Sequence, residues 1–277
     1  MKSHLLFIVF DSCRFDSFAA AKTPFISRLG KTERRYSFAS WTLPSHHAYM
    51  MGMSPHKSPR GVFASEVYKK DFLLWADRLN IPGVAFKNFL PHFSLPKFLQ
   101  DQGYVTNALV SMPVLNQLTV LNKHFDRYEL MDEFNDFSAI IDKLEFGAKP
   151  TFHLLNIGET HYPYTIAGEK VADQELLHGP KGVFVHSGDE IVADSGGNNP
   201  EAYFHLDRLE ALRKKQISNV EHLDSLFEKL YDKVPKGTHI IVTADHGELF
   251  GEEGFFGHGP ILHEKVLEVF FVEGRHE

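Results

Sequence analysis

Short unbroken apolar runs alternate with longer amphipathic stretches along the 277-residue chain. Leu5–Phe10 has no polar alternation, the pattern of a parallel strand covered on both faces, and Asp11 stands at its carboxyl end. Val105–Ser111, Phe152–Ile157, His239–Thr243 and Val269–Val272 read as further strands. Between them, Pro24 suits the first turn of a helix over Thr23–Leu29, and Leu43-Pro44-Ser45-His46 opens a helix running to Met51, with Gly52 past its end. Leu95–Gln102, closed by Gly103, and Asp136–Phe146 read as helices. From Glu201 to Leu230 apolar residues such as Leu209, Val220, Leu223, Phe227 and Leu230 recur at helical spacing among charges, which predicts a long amphipathic helix. Gly158–Pro200 is polar and rich in Gly, Asp and His, and its length suggests a lid or site loop. Strands alternating with helices predict an α/β fold, a largely parallel central sheet flanked by helices, with its site beyond the carboxyl ends of the strands. No repeat or linker interrupts it, so residues 1–277 are expected to form a single domain.

Composition narrows the class. Hydrophobic residues at 43% and charged residues at 23% exclude disordered, collagen-like and coiled-coil chains. Lys and Arg number 29 against 36 Asp and Glu, a formal charge of −7, and no block of like charge offers a footprint for nucleic acid. The one cysteine, Cys13, has no internal partner and reads as a small packing residue. The first apolar run is shorter than the roughly 7–15 residues of a signal peptide, and no run nears the roughly 18–20 of a membrane span. The expectation is a cytoplasmic protein without a membrane partner. Phe86, Phe89, Phe93 and Phe98 are expected to pack in the core.

Two strand ends carry chemistry. Asp11 follows the first and Asp245-His246 the run His239–Thr243, and in a parallel sheet such ends converge. Two carboxylates with an imidazole suit zinc or manganese better than calcium, and one ion is the minimal reading. Thr42, just before a helix start, has backbone amides aimed at any anion it attacks, and a metal beside it would make its hydroxyl nucleophilic. Taken alone, the same residue reads first as a helix-capping signal.

In order and in wording these pieces resemble the alkaline phosphatase and sulfatase superfamily. The first strand with its Asp is Phe7-Ile8-Val9-Phe10-Asp11-Ser12-Cys13-Arg14-Phe15-Asp16. Thr23-Pro24-Phe25-Ile26-Ser27-Arg28-Leu29 is similar to the family's Thr-Pro-Asn-x-Asp-x-Leu, Thr42-Leu43-Pro44-Ser45-His46 to its nucleophile motif, and Gly52-Met53-Ser54-Pro55-His56 to its Gly-x-x-Pro-His. Leu95 to Thr106, with Gly103-Tyr104-Val105-Thr106, resembles Leu-x-x-x-Gly-Tyr-x-Thr, and His161-Tyr162-Pro163-Tyr164 resembles His-x-Pro-Tyr. Asp245-His246-Gly247-Glu248 with Gly251-Glu252 and His258-Gly259 is similar to the signature of phosphoethanolamine and related transferases and hydrolases.

The resemblance implies an alkaline-phosphatase-like core, running from residue 5 to about 273 and lacking most of the family's C-terminal subdomain. It implies that Asp11, Thr42, Asp245 and His246 surround one divalent ion, with Thr42 the nucleophile. His161 and His258 would bind the transferring group or a second metal near His258. His46 stands where sulfatases carry Arg and would contact the substrate anion, with Arg14 and Lys87 as alternatives. Thr42 cannot become formylglycine and Ser12 replaces a second Asp, so the type I sulfatase route is disfavoured. A metal-dependent hydrolase of phosphate or phosphonate esters, acting on a small-molecule or glycan substrate through a covalent Thr42 intermediate, is expected. The alternatives are a phosphoethanolamine-type transferase, a sulfate-ester hydrolase not using formylglycine, and a catalytically silent binding protein. The uncovered sheet edge or pocket wall near the C-terminus would suit a homodimer.

Overall fold

Every residue of Leu5–Phe10 (β1) is buried, as its unbroken apolar pattern requires of a strand with neighbours on both sides and layers on both faces. The chain is described by a computed structural model over residues 2–57, 64–85, 88, 94–169, 185–186 and 204–277. After β1 come α1 (Phe15–Ala20), β2 (Glu33–Tyr36), α2 (Thr42–Met50), α3 (Ala64–Leu79) and α4 (Leu95–Asp101). β3 (Val105–Val110), β4 (Arg127–Leu130), α5 (Phe137–Asp142) and β5 (Thr151–Ile157) follow. The chain continues with β6 (Val185–His186), α6 (Leu206–Lys233), β7 (His239–Ala244), β8 (Leu249–Phe250), β9 (Phe255–Gly257), α7 (Glu264–Leu267) and β10 (Glu268–Arg275).

Seven strands form the main sheet in the order β2-β10-β7-β1-β5-β3-β4. β7, β1, β5, β3 and β4 run parallel, while β10 is antiparallel to both β7 and β2. The last predicted strand is therefore longer than Val269–Val272 and reversed in direction. One apolar layer packs α1, α5 and α6 on one face of the sheet, with Phe137 and Phe227 side by side at 6.0 Å and Phe18 stacked on Phe270 at 3.6 Å. The other face is covered by α2, α3 and α4, where Trp75, Leu79 and Leu99 are fully buried.

Caps confirm several boundaries. Ser94 accepts the Lys97 amide at the start of α4, and Asp136 accepts the Ala139 amide at the start of α5. In α6, Asp224 is turned inward and accepts the amides of Phe25 and Ile26 at 3.2 and 2.8 Å, which fixes the single 3-10 turn Ile26–Arg28 that stands where a first helical turn was expected. Phe98 is buried in the core as expected, whereas Phe86, Phe89 and Phe93 lie outside the described residues. Most of the Gly158–Pro200 loop also lies outside them. No described helix is long and apolar enough to cross a membrane.

Candidate metal centre

Register brings the ligands together. Phe10 lies opposite Ile157 of β5 on one side and Ala244 of β7 on the other, so the next residues, Asp11 and Asp245, leave the sheet at the same level. Thr42 arrives as the first residue of α2, whose start faces the same strand ends. Its hydroxyl does not cap the helix: it donates to Asp11 Oδ1 at 3.3 Å and lies 3.3 Å from His246 Nε2. Asp11, Asp245 and His246 are fully buried, Thr42 is buried, and the three titratable residues offer ligand atoms within 4.8 Å of one another.

Each side chain is oriented by partners that turn one donor atom toward the cluster. Asp11 Oδ2 takes the Asn156 amide at 2.8 Å, which turns Oδ1 inward. Asp245 Oδ1 accepts the amides of Ser12 and His246 at 3.1 and 3.0 Å, while Oδ2 is buried with no hydrogen-bond partner. His246 Nδ1 donates to the Gly247 carbonyl at 2.8 Å, so Nε2 carries the lone pair. That Nε2 lies 3.4 Å from Asp245 Oδ2 and 3.9 Å from Asp11 Oδ1. Two donors bound to a tetrahedral ion at about 2.0–2.1 Å are separated by about 3.3–3.4 Å, so these spacings fit a shared cation. An orphaned buried carboxylate oxygen facing an imidazole lone pair is the arrangement a cation resolves.

The electrostatics agree. Burial, and then the neighbouring Asp11 charge, push the Asp245 carboxyl well above its ordinary value. Burial also pushes Asp11 up, but the imidazoles of His161 and His246 and the Asn156 amide outweigh it and leave that carboxyl below its ordinary value. Burial, then His258, drive His246 down to about 3, so its ring is neutral and available as a ligand.

The outer histidines sit beside this cluster. The His258 ring is 4.3 Å from that of His246 and 5.2 Å from that of His161. His258 Nδ1 donates to Glu248 Oε1 at 3.1 Å with Ser12 Oγ 3.4 Å away, and His161 Nδ1 donates to the Tyr162 carbonyl at 2.7 Å. In both rings Nε2 is thereby the nitrogen left for a ligand. Burial, then His161, lower His258 to about 3. Burial pushes Glu248 up to about 7, and the Tyr164 hydroxyl donates to its other oxygen.

His46 lies one turn beyond Thr42 and is fully buried. Its Nδ1 donates to the Thr42 carbonyl at 2.8 Å, its Nε2 has no partner, and burial lowers its pKa, so the ring lacks the charge an Arg would bring. Arg14 is not free to meet a substrate: its guanidinium is held by Asp16 and Glu252. Lys87 lies outside the described residues. His186 packs on Phe255 at 4.6 Å, and His205 is exposed at the start of α6.

Glu159, close in sequence to His161, is held by the start of α5. Its Oε1 accepts the Phe137 amide at 2.7 Å, its Oε2 is buried without a partner, and burial pushes it up to about 7. The folded state therefore holds a proton there between about pH 4.5 and 7 that the unfolded chain has lost. The stabilisation is complete below about 4.5 and disappears as pH rises through 7. Glu159→Gln stays neutral, so between pH 5 and 8 its stability relative to the parent should improve by on the order of 3 kcal/mol. Urea unfolding of both proteins at the two pH values checks this.

Asn156 was not singled out from sequence, although a polar residue near the end of the buried run Phe152–Ile157 is the sign that could have drawn attention to it. No sequence-level match is found among protein-family models or curated proteins. Solved structures do match. The C-terminal periplasmic domain of EcEptC from Escherichia coli superposes with a TM-score of 0.56 at 13% identity, covering 99% of this chain and 73% of that one. The C-terminal periplasmic domain of phosphoethanolamine transferase EptC from Campylobacter jejuni gives 0.53 at 13% identity, covering 99% and 80%. BT1596, a 2-O GAG sulfatase, gives 0.55 at 15% identity, covering 99% and 64%.

The fold is the one these transferase and sulfatase domains share. These structures extend beyond the part this chain matches. The cytoplasmic expectation does not stand, because two of these structures are periplasmic domains. A domain with one cysteine and a large apolar core needs no disulfide on either side of a membrane, so cysteine poverty does not report the compartment. The Escherichia coli domain has also been solved as a complex with zinc, in keeping with a divalent metal in this fold.

Proposed function

We propose that residues 1–277 form a single catalytic domain, a metal-dependent enzyme acting on phosphate or phosphonate esters with Thr42 as nucleophile. The observation that carries this reading is the placement of Thr42 Oγ1 at 3.3 Å from both Asp11 Oδ1 and His246 Nε2, at the start of a helix it does not cap. Asp11, Thr42, Asp245 and His246 would hold one divalent ion. Zinc or manganese suits their mixed oxygen and nitrogen donors better than calcium. Such an ion, when bound, lowers the pKa of the Thr42 hydroxyl and neutralises charge on the substrate oxygens.

The chain's own residues then divide the work. Thr42 Oγ1 forms a bond to phosphorus as the bond to the leaving ester oxygen breaks, giving a phosphothreonine, and the proton lost from the hydroxyl ends on the departing alcohol. The amides of Thr42 and Leu43, in the first turn of α2, have no intrahelical partners and face the developing negative charge. His161 and His258 present Nε2 to the transferring group, and His46 Nε2 remains available as a neutral contact. Attack by water on the phosphothreonine completes hydrolysis, and attack by an alcohol completes transfer. The transferase reading is favoured by the match to phosphoethanolamine transferase EptC, and the hydrolase reading needs no second substrate.

A panel of aryl phosphate monoester, diester, phosphonate and sulfate esters, assayed with zinc and with manganese, tests the proposal. Phenol release from one or more phosphorus esters is expected, and added alcohol that diverts product from free phosphate to a new ester would select the transferase. Turnover of the sulfate ester alone, or no turnover of any ester with the metal bound, would contradict it.

A further inference from the structure

The hairpin that carries His258 is anchored at both ends. β8 and β9 pair with Leu249 opposite Gly257 and Phe250 opposite Phe256, so Glu248 and His258 flank the open end and meet there at 3.1 Å. At the other end, the turn through Gly251 (φ +103°) is closed by the Gly251 amide on the Phe255 carbonyl at 2.8 Å. Glu252 in that turn joins two parts of the protein. Its Oε2 accepts the Phe250 amide at 2.6 Å, and its Oε1 accepts Arg14 Nη1 at 2.6 Å.

Arg14 comes from the segment that follows Asp11 and Ser12. Its guanidinium takes both oxygens of Asp16, at 2.8 and 2.7 Å, and lies 5.3 Å from the centre of the Phe250 ring. Only 4% of its side chain is exposed, and Asp16, lowered to about 2 against the effect of burial by its bonds to Arg14, remains a carboxylate. A lysine could not make this fork: one ammonium cannot span the Asp16 carboxylate and still reach Glu252 in the same plane. The contact runs on towards the metal ligands. A side chain at Gly247 would collide with the Lys265 carbonyl at 2.1 Å and touch Arg14 Cγ at 3.4 Å, so the segment leaving His246 passes against the Arg14 stem.

We propose that Arg14 and Glu252 form a latch that positions His258 over Ser12 and the metal-ligating carboxylates. The direct contact between Ser12 Oγ and His258 Nδ1 is 3.4 Å, at the weak end of the hydrogen-bond range, so the hairpin's two anchors rather than Ser12 set the height of the ring. Arg14 and Glu252 are positioning residues, acting through His258 and touching no reacting atom. The inference rests on the reading of His258 as a substrate-contacting group.

The test uses the full-length, zinc-loaded protein labelled with 15N at histidine. The imidazole Nδ1–H of His258, held by Glu248, is assigned as the exchange-slowed resonance that His258→Gln lacks. Glu252→Gln still accepts the Phe250 amide but faces Arg14 with an amide, and Arg14→Lys removes the fork. In both variants the His258 resonance should shift or broaden while that of His246 and the bound zinc persist. In Glu252→Gln, kcat/KM for a turned-over aryl phosphorus ester should fall about tenfold. A His258 resonance unmoved in both variants, even if the melting temperature drops, overturns the latch. The spectroscopic arm needs no substrate, so failure of the latch is distinguishable from failure of the proposed function.

Discussion

Thr42→Ala is expected to lower turnover of a phosphorus ester by roughly three orders of magnitude or more, with fold and metal retained. The expectation follows from what the hydroxyl does and does not do. Thr42 Oγ1 contacts only Asp11 and His246 among the described residues and caps no amide, so the start of α2 is indifferent to its loss. Asp11 Oδ1, Asp245 Oδ2 and His246 Nε2 keep their own orienting partners, Asn156, Ser12 and the Gly247 carbonyl, and three ligands with water in the fourth place are an ordinary zinc site. Steady-state rates with metal content measured on the same sample would show the loss. Hydrolysis at the parent rate in Thr42→Ala would mean that water activated elsewhere does the chemistry.

The second large effect is on stability. In the metal-free protein two buried carboxylates face each other, and the Asp245 carboxyl is raised by burial and by Asp11. The sign follows from that direction: a proton on Asp245 stabilises the fold fully below the ordinary carboxylate range, and the stabilisation is lost as pH rises through the raised value. Burial and the Asp11 charge, which act against an ionised Asp245, are offset when a divalent ion binds. Zinc at a thousandfold excess over its dissociation constant should add about 4 kcal/mol. Asp245→Asn keeps a carbonyl oxygen for the Ser12 and His246 amides but removes the charge, so the metal-free variant should melt higher than the metal-free parent. It should also lose most of the zinc-induced rise. Thermal melts of both proteins with zinc and with chelator check the pair of outcomes, and an undiminished zinc response in Asp245→Asn would place the ion elsewhere.

The parts of the fold that could be read from the chain are those where burial dictates a pattern. β1, β5 and β7 are buried throughout and announce themselves as apolar runs, and α6 carries its buried Leu209, Val220, Leu223 and Phe227 at helical spacing. The strand ends then locate Asp11 and Asp245, and register supplies the rest. Edge elements give no such signal. β2 is Glu33-Arg34-Arg35-Tyr36, a charged strand at the sheet edge, stabilised by pairing to β10 and by Arg35 over the Phe271 ring at 3.4 Å. β4, at the opposite edge, is Arg127-Tyr128-Glu129-Leu130 and is half-buried along its length.

The direction of β10 was illegible for a different reason. An apolar run reports burial but not orientation, and only the short α7, turning the chain directly from the β9 loop into β10, forces the reversal. α3 was legible in principle, because Phe72, Trp75 and Leu79 recur at helical spacing and are buried. At the site, resemblance and chemistry pointed to the candidate ligands, but the residues that aim them act through long-range contacts. Asn156 holds Asp11 from a neighbouring strand, and Ser12, which stands in place of a second Asp, uses its backbone amide at φ +58° to hold Asp245. Arg14 reads in sequence as a free positive charge near the site, and only the tertiary structure shows it held by Asp16 and Glu252.

Asp11, Thr42, Asp245 and His246 are proposed to share one ion. Anomalous diffraction at the zinc edge, from crystals of the full chain grown with zinc, tests it most directly. A single strong peak is expected among the four side chains, with Asp11 Oδ1, Thr42 Oγ1, Asp245 Oδ2 and His246 Nε2 each about 2.0–2.2 Å from it. Zinc bound elsewhere with no peak between these residues, or side chains more than about 8 Å apart and so unable to share an ion, would contradict it.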